Sequence, residues 1–117
     1  MFGLTTGTWA FNLLYGLGAQ GTGQGPEGAL IMDSSGNLYG TASSGGAYGF
    51  GAVFKLTPGA GGWTYTSIHD FCAGGYPPCS DGYTPTGNLA FDSAGILYGT
   101  TANGGAYGGG VVYEITP

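Results

Sequence analysis

Short runs in which apolar and polar positions alternate, each cut off by glycine or a small polar residue, fill this chain from end to end. In Gly62–Phe71 (GWTYTSIHDF), Trp63, Tyr65 and Ser67 share one face and Thr64, Thr66 and Ile68 the other, the two-residue period of a β-strand. This is strand a of a unit. Asn88–Asp92, Ile96–Ala102 and Val111–Thr116 come next as strands b, c and d. Ser93, Ala94 and Gly95 make the b–c turn, where glycine supplies a positive φ, and Asn103–Gly110 is a glycine-rich c–d connection. The order is met earlier as well, at Trp9–Tyr15, Ala29–Asp33, Leu38–Ser43 and Ala52–Thr57. No window of about 11 residues keeps a helical period free of glycine, so no helix is expected.

The two passes are copies of one unit. Residues 27–58 lie over residues 86–117 without a gap, 59 positions apart, and 18 of the 32 positions are identical. Four antiparallel strands recurring roughly every 50–60 residues is the period of a β-propeller blade. The expected fold is therefore all-β: two four-stranded blade-like repeats, 1–61 and 62–117, with the second carrying a longer a–b loop. A repeat unit cannot bury its own apolar faces, and propellers close at about four to eight blades. A homo-trimer or homo-tetramer completing a six- or eight-bladed ring is the expected assembly. If the rotation does not close, a filament results.

Each copy reads G-x-L-x-x-D-x-x-G-x-L-Y-G-T-x-x-x-G-G-A-Y-G-x-G-x-V-[FY]-x-[LI]-T-P. That pattern, with the preceding W-x-[FY] strand and the SDGYTP stretch at Ser80–Pro85, resembles the Gloeo/Verruco (GloVer) tandem repeat of secreted bacterial proteins. The resemblance implies a propeller-like all-β array outside the cell and carries no catalytic residues to transfer. Phe2-Gly3-Leu4-Thr5 is similar to Phe54-Lys55-Leu56-Thr57, so the chain is expected to begin inside a unit, with the end of a strand d. One d-type segment is then surplus, and strands shared between chains are the expected consequence. The opening residues lack a basic stretch and a clear cleavage site, so they do not read as a signal peptide.

Composition narrows the partners. The chain holds 28 glycines, many at matched places in both copies, with aromatics at 15%, which reads as turns and bulges in an ordered β protein rather than disorder. Lys55 is the lone Lys or Arg against six acidic residues, for a net charge of −5. Nucleic acid, whose phosphates need several cations, and an anionic membrane surface are not expected partners. No apolar run is long enough for a spanning helix. A surface of Ser, Thr, Asn and Tyr suits neutral glycans, and no cofactor motif is present: GGAYG is followed by no Lys and opens no helix.

Cys72 and Cys79 bracket AGGYPP, a loop able to fold back and join the sulfurs, which points to a disulfide and an oxidising, extracellular or periplasmic compartment. Free thiols, or a metal site of His69, Cys72, Cys79 and Asp81, are the alternatives; the latter matches no standard zinc spacing. His69-Asp70 is the one pair suited to general-base work, and Asp70 and Asp81 flank the loop as candidate paired carboxylates or a weak calcium site. No nucleophile motif accompanies them. His69, Asp70 and Asp81 are thus the catalytic candidates, for a hydrolase site assembled between chains or at a ring axis. Asp33 and Asp92 are expected to be turn residues. Trp9/Trp63 and Tyr39/Tyr98 read as inter-blade core. Tyr48 and Tyr107, each between glycines in a c–d loop, are the expected ligand-binding residues, each offering a flat ring and a hydroxyl to a sugar.

Overall fold

A computed structural model describes residues 9–19 and 21–116. It is all-β: β1 Gly23–Met32, β2 Leu38–Gly45, β3 Ala52–Thr57, β4 Thr64–Asp70, β5 Tyr83–Phe91, β6 Leu97–Asn103 and β7 Val112–Ile115. Two antiparallel sheets form, one ordered β1-β2-β3-β4 and the other β5-β6-β7. Among the described residues there is no helix, and the Phe2–Thr5 stub lies outside them.

Strands b, c and d appear in both copies, as expected, but strand a does not belong to its own repeat's sheet. β4, which opens the second repeat, pairs antiparallel with β3 of the first, with Leu56 opposite Tyr65 and Lys55 opposite Thr66. The first sheet is therefore b-c-d of one repeat with the a strand of the next. Trp9–Tyr15, expected as the first strand, forms none. Alternation makes a segment competent for a strand; a ladder needs a neighbouring edge, and among the described residues none pairs with this segment.

Strand b also begins earlier than its apolar pattern shows, at Gly23 and Tyr83. Both copies carry an irregularity in the b–c pairing, between Glu27 and Ile31 and between Thr86 and Ala90. Gly28 and Gly87 sit there with φ of 78° and 75°. The two bulges touch: a Cβ on Gly28 would collide with the Gly87 carbonyl, and the Ala29 N–H donates to Asn88 Oδ1 at 2.7 Å. Only glycine allows both the left-handed turn and this approach of backbones.

The core lies between the sheets. Tyr39 and Val53, on one face of the first sheet, are buried against Phe71, Leu89 and Leu97. The Tyr39 ring meets Phe91 edge-on at 5.1 Å, and Phe71 meets Tyr113 at 5.5 Å. The opposite face of the first sheet carries a smaller cluster of Ala42, Phe54 and Leu56, against which Tyr15, Leu17, Trp63 and Tyr65 pack. Burying each large apolar side chain contributes about 1.5–3 kcal/mol, so the intersheet layer dominates.

Candidate functional site

The c–d loops are built alike in both repeats. Gly45, Gly46, Gly49 and Gly51 in the first, and Gly104, Gly105, Gly108 and Gly110 in the second, all have positive φ. Each loop is tied at its neck by one backbone bond: Gly51 N–H to the Gly45 carbonyl at 3.0 Å, and Gly110 N–H to the Gly104 carbonyl at 2.9 Å. This frame lifts Tyr48 and Tyr107 off the sheets; they are 50% and 100% exposed. An exposed aromatic on a loop held by its own backbone is a stacking surface with little ordering entropy left to lose.

The first loop is further anchored by residues later in the chain. Asp70 Oδ1 accepts the Ala47 N–H at 3.2 Å, Phe71 donates to the Gly51 carbonyl, and Thr84 donates to the Phe50 carbonyl. Phe50 stacks on Tyr76 at 5.7 Å and meets Tyr83 edge-on at 5.3 Å. Tyr76, on the cysteine loop, is itself exposed. Pattern reading passes over this residue, because it belongs to no strand and has no match in the first copy. Its signal is an aromatic beside Pro-Pro in a loop bracketed by cysteines.

Cys72 and Cys79 form a disulfide, with Cα atoms 4.5 Å apart. Beneath it, Asp81 accepts the Cys72 N–H with both oxygens, at 3.0 and 3.2 Å, and its Oδ2 lies 2.8 Å from His69 Nε2. The His69 ring leans edge-on against Phe71 at 4.6 Å. So the structure brings His69 and Asp81 together, while Asp70, sequence neighbour of His69, turns to a different loop. The carboxylates Asp70 and Asp81 hold different backbone amides rather than facing one substrate. Among the described residues no hydroxyl hydrogen-bonds His69, and no group of three or more His, Cys, Asp or Glu side chains is arranged to hold a metal. The arrangement is a clasp that closes the cysteine loop onto the end of β4.

Asp33 and Asp92 cap the b–c turns as expected. Asp33 Oδ1 accepts the N–H groups of Ser35 and Asn37, both at 2.9 Å, and Oδ2 accepts Asn37 Nδ2 and the Tyr39 hydroxyl. Asp92 accepts from Ala94, Ile96 and the Tyr98 hydroxyl. With both oxygens of each carboxylate engaged by the turn, neither is free for chemistry.

The duplication, the paired turns and the matched glycine loops recur together at a single spacing. The family model described as the Gloeobacter/Verrucomicrobia repeat matches residues 1–117. This chain belongs to that family. No curated protein and no solved structure matches it. In this Gloeobacter/Verrucomicrobia repeat chain the shared pattern is a folding pattern. Its glycines set bulges and loops, and its Asp and first Tyr set the b–c turn. The GGAYG tyrosine is exposed in both copies.

Proposed function

We propose that this chain is a non-catalytic, extracellular or periplasmic repeat module that self-assembles into a propeller-like ring and binds neutral carbohydrate through Tyr48 and Tyr107. The observation that carries the glycan reading is the pair of exposed tyrosines on equivalent glycine-framed loops. Polar, nearly uncharged surroundings favour a neutral ligand over an ionic one. The disulfide supports an oxidising compartment. Sheets that leave apolar faces open support assembly, with a trimer or tetramer giving six or eight blades.

Calorimetric titration with cellohexaose, xylohexaose and maltohexaose tests the ligand class. Two equivalent sites per chain are expected for at least one sugar. Tyr48→Ala and Tyr107→Ala should each halve the stoichiometry, and the double variant should abolish binding. Binding that survives in the double variant removes these residues from the site, and no binding by any sugar removes the ligand class.

The His69–Asp81 contact favours one second reading, a hydrolase whose remaining groups come from another chain. It requires an activity that His69→Ala and Asp81→Asn abolish while assembly persists.

A further inference from the structure

Val53 and Val112 are the same residue at the same place in two repeats, and their surroundings differ completely. Val53 is 0% exposed and Val112 is 81% exposed. Val53 lies on β3, which is flanked by β4 and covered by the second sheet; Val112 lies on β7, the edge of its sheet. The same contrast holds across the matched surfaces: Leu89 is buried and its counterpart Leu30 exposed, Tyr39 is 3% exposed and its counterpart Tyr98 36%. One face of the second sheet and the opposite face of the first each lack the neighbour that its twin has.

The second sheet also lacks an edge strand, the one that β4 gives the first, and the segment before β1 is the counterpart of β4. Aligning Trp9 with Trp63 sets Phe11 over Tyr65, Tyr15 over His69 and Leu17 over Phe71. The second half of the segment already does its counterpart's work. Leu17 packs on the Phe54 cluster of the first sheet, as Phe71 packs on Tyr113 of the second. Among the described residues the first half pairs with no strand: Trp9 and Phe11 are 93% and 88% exposed, with Leu13 close behind. An extended stripe of large apolar side chains stands in solvent, and among the described residues nothing pairs with the outer edge of β7.

That edge is ready to bond. Val111 donates to Thr101 Oγ1 and its carbonyl accepts the Thr101 N–H, so this residue bonds inward to β6. Inward and outward residues alternate along an antiparallel ladder, which turns the N–H and C=O groups of Val112 and Glu114 to the free side. An open edge of this kind takes an extended segment as an added strand.

We infer that Trp9–Tyr15 of one copy docks antiparallel on β7 of a second copy, completing that copy's second sheet as β4 completes the first. This rests on the self-assembly proposed above and names its surface. Transferring the β3–β4 register sets Phe11 opposite Ile115, Asn12 opposite Glu114 and Leu13 opposite Tyr113. Phe11 then lies against the Tyr113 ring as Tyr65 lies on Phe54, whose centroids are 5.6 Å apart. The docked segment is uncharged, so Glu114 meets an amide and no like charge. Because donor and acceptor are different surfaces, the contact is heterologous, and its repetition makes a ring or a filament.

Sedimentation velocity on two variants and their mixture tests the contact. Val112→Pro removes an outward N–H without touching the bonds to β6, and Glu114→Pro serves as a second edge variant. Phe11→Asp with Leu13→Asp spoils the donor at positions already in solvent. Wild type is expected to grow in mass with concentration, and each variant to stay monomeric with an unchanged circular dichroism spectrum. An equimolar mixture of the edge and donor variants should give a heterodimer and nothing larger, a complementation that misfolding cannot imitate. Folded variants that assemble like wild type, or a mixture that stays monomeric, overturn the strand docking alone. A wild type that is monomeric at every concentration overturns self-assembly and the docking together.

Discussion

The Tyr39 hydroxyl donates to Asp33 Oδ2 at 2.9 Å, joining the buried face of β2 to the b–c turn that precedes it. The side-chain bond from Asn37 is the largest influence on Asp33 and, with the turn amides and Tyr39, holds its carboxyl down at about 2. Burial, then the Asp33 contact, pushes the Tyr39 phenol up to about 12.

The signs of both shifts set the pH limits. Asp33 titrates lower in the folded chain, so its contribution is present above the ordinary carboxylate value of 3.8 and is lost as pH falls from there towards 2. Tyr39 titrates higher, so its contribution is complete below pH 10 and is lost as pH rises towards 12. Burial raises the Tyr113 phenol to about 12 as well, adding to the alkaline limb. Melting temperature measured against pH should fall in both windows. Tyr39→Phe should shorten the alkaline fall.

Asp33→Ala should destabilise more than Asp92→Ala. Asp33 holds the Asn37 side-chain amide, where the second copy has Ile96, and its tyrosine partner is buried whereas Tyr98 is not. Parallel thermal melts of the two single variants check the order, and an equal loss would contradict it.

Reducing the Cys72–Cys79 bridge should cost about 2.5 kcal/mol on the chain-entropy argument for so short a loop. The loop also presents the Cys72 N–H to Asp81, so Asp81→Ala should cost about 1–3 kcal/mol more by leaving that amide unpaired. Denaturant unfolding of the oxidised, reduced and Asp81→Ala proteins separates the two effects.

Gly40→Ala should destabilise by about 1–3 kcal/mol through overpacking. A Cβ there would come within 2.8 Å of both Phe54 Cζ and Leu30 Cδ2. Gly99→Ala should do the same through the Tyr113 ring. By contrast Tyr48→Ala and Tyr107→Ala, on open loops, should leave the unfolding free energy within about 0.5 kcal/mol of wild type. Urea unfolding of the four variants beside wild type checks the contrast.

Most of the strands are legible in the sequence because their side-chain period is local. Leu38, Tyr39 and the glycines around them announce a strand whatever lies beside it, and Ala52–Thr57 emerges with the bounds its pattern implies. The b–c turns are legible for the same reason, since Asp33 and Asp92 bond amides two and four residues away. The extra reach of β1 and β5 is hidden because Gly28 and Gly87 interrupt the alternation at bulges that make sense only where two backbones meet.

Of the candidate site, the tyrosine loops are readable from GGAYG, and the His69–Asp81 clasp is not, since the disulfide loop decides which carboxylate His69 meets. Short-range spacing is enough to specify an all-β repeat, its turns, its disulfide and the kinship of its two units. It takes the packed chain to show that β4 serves the sheet before its own repeat, that Trp9–Tyr15 finds among the described residues no edge such as β4 has, and that Val112 stands open where Val53 is covered. Strand pairing is a relation between distant segments, and an alternating pattern states a segment's capacity to pair without naming the edge that accepts it.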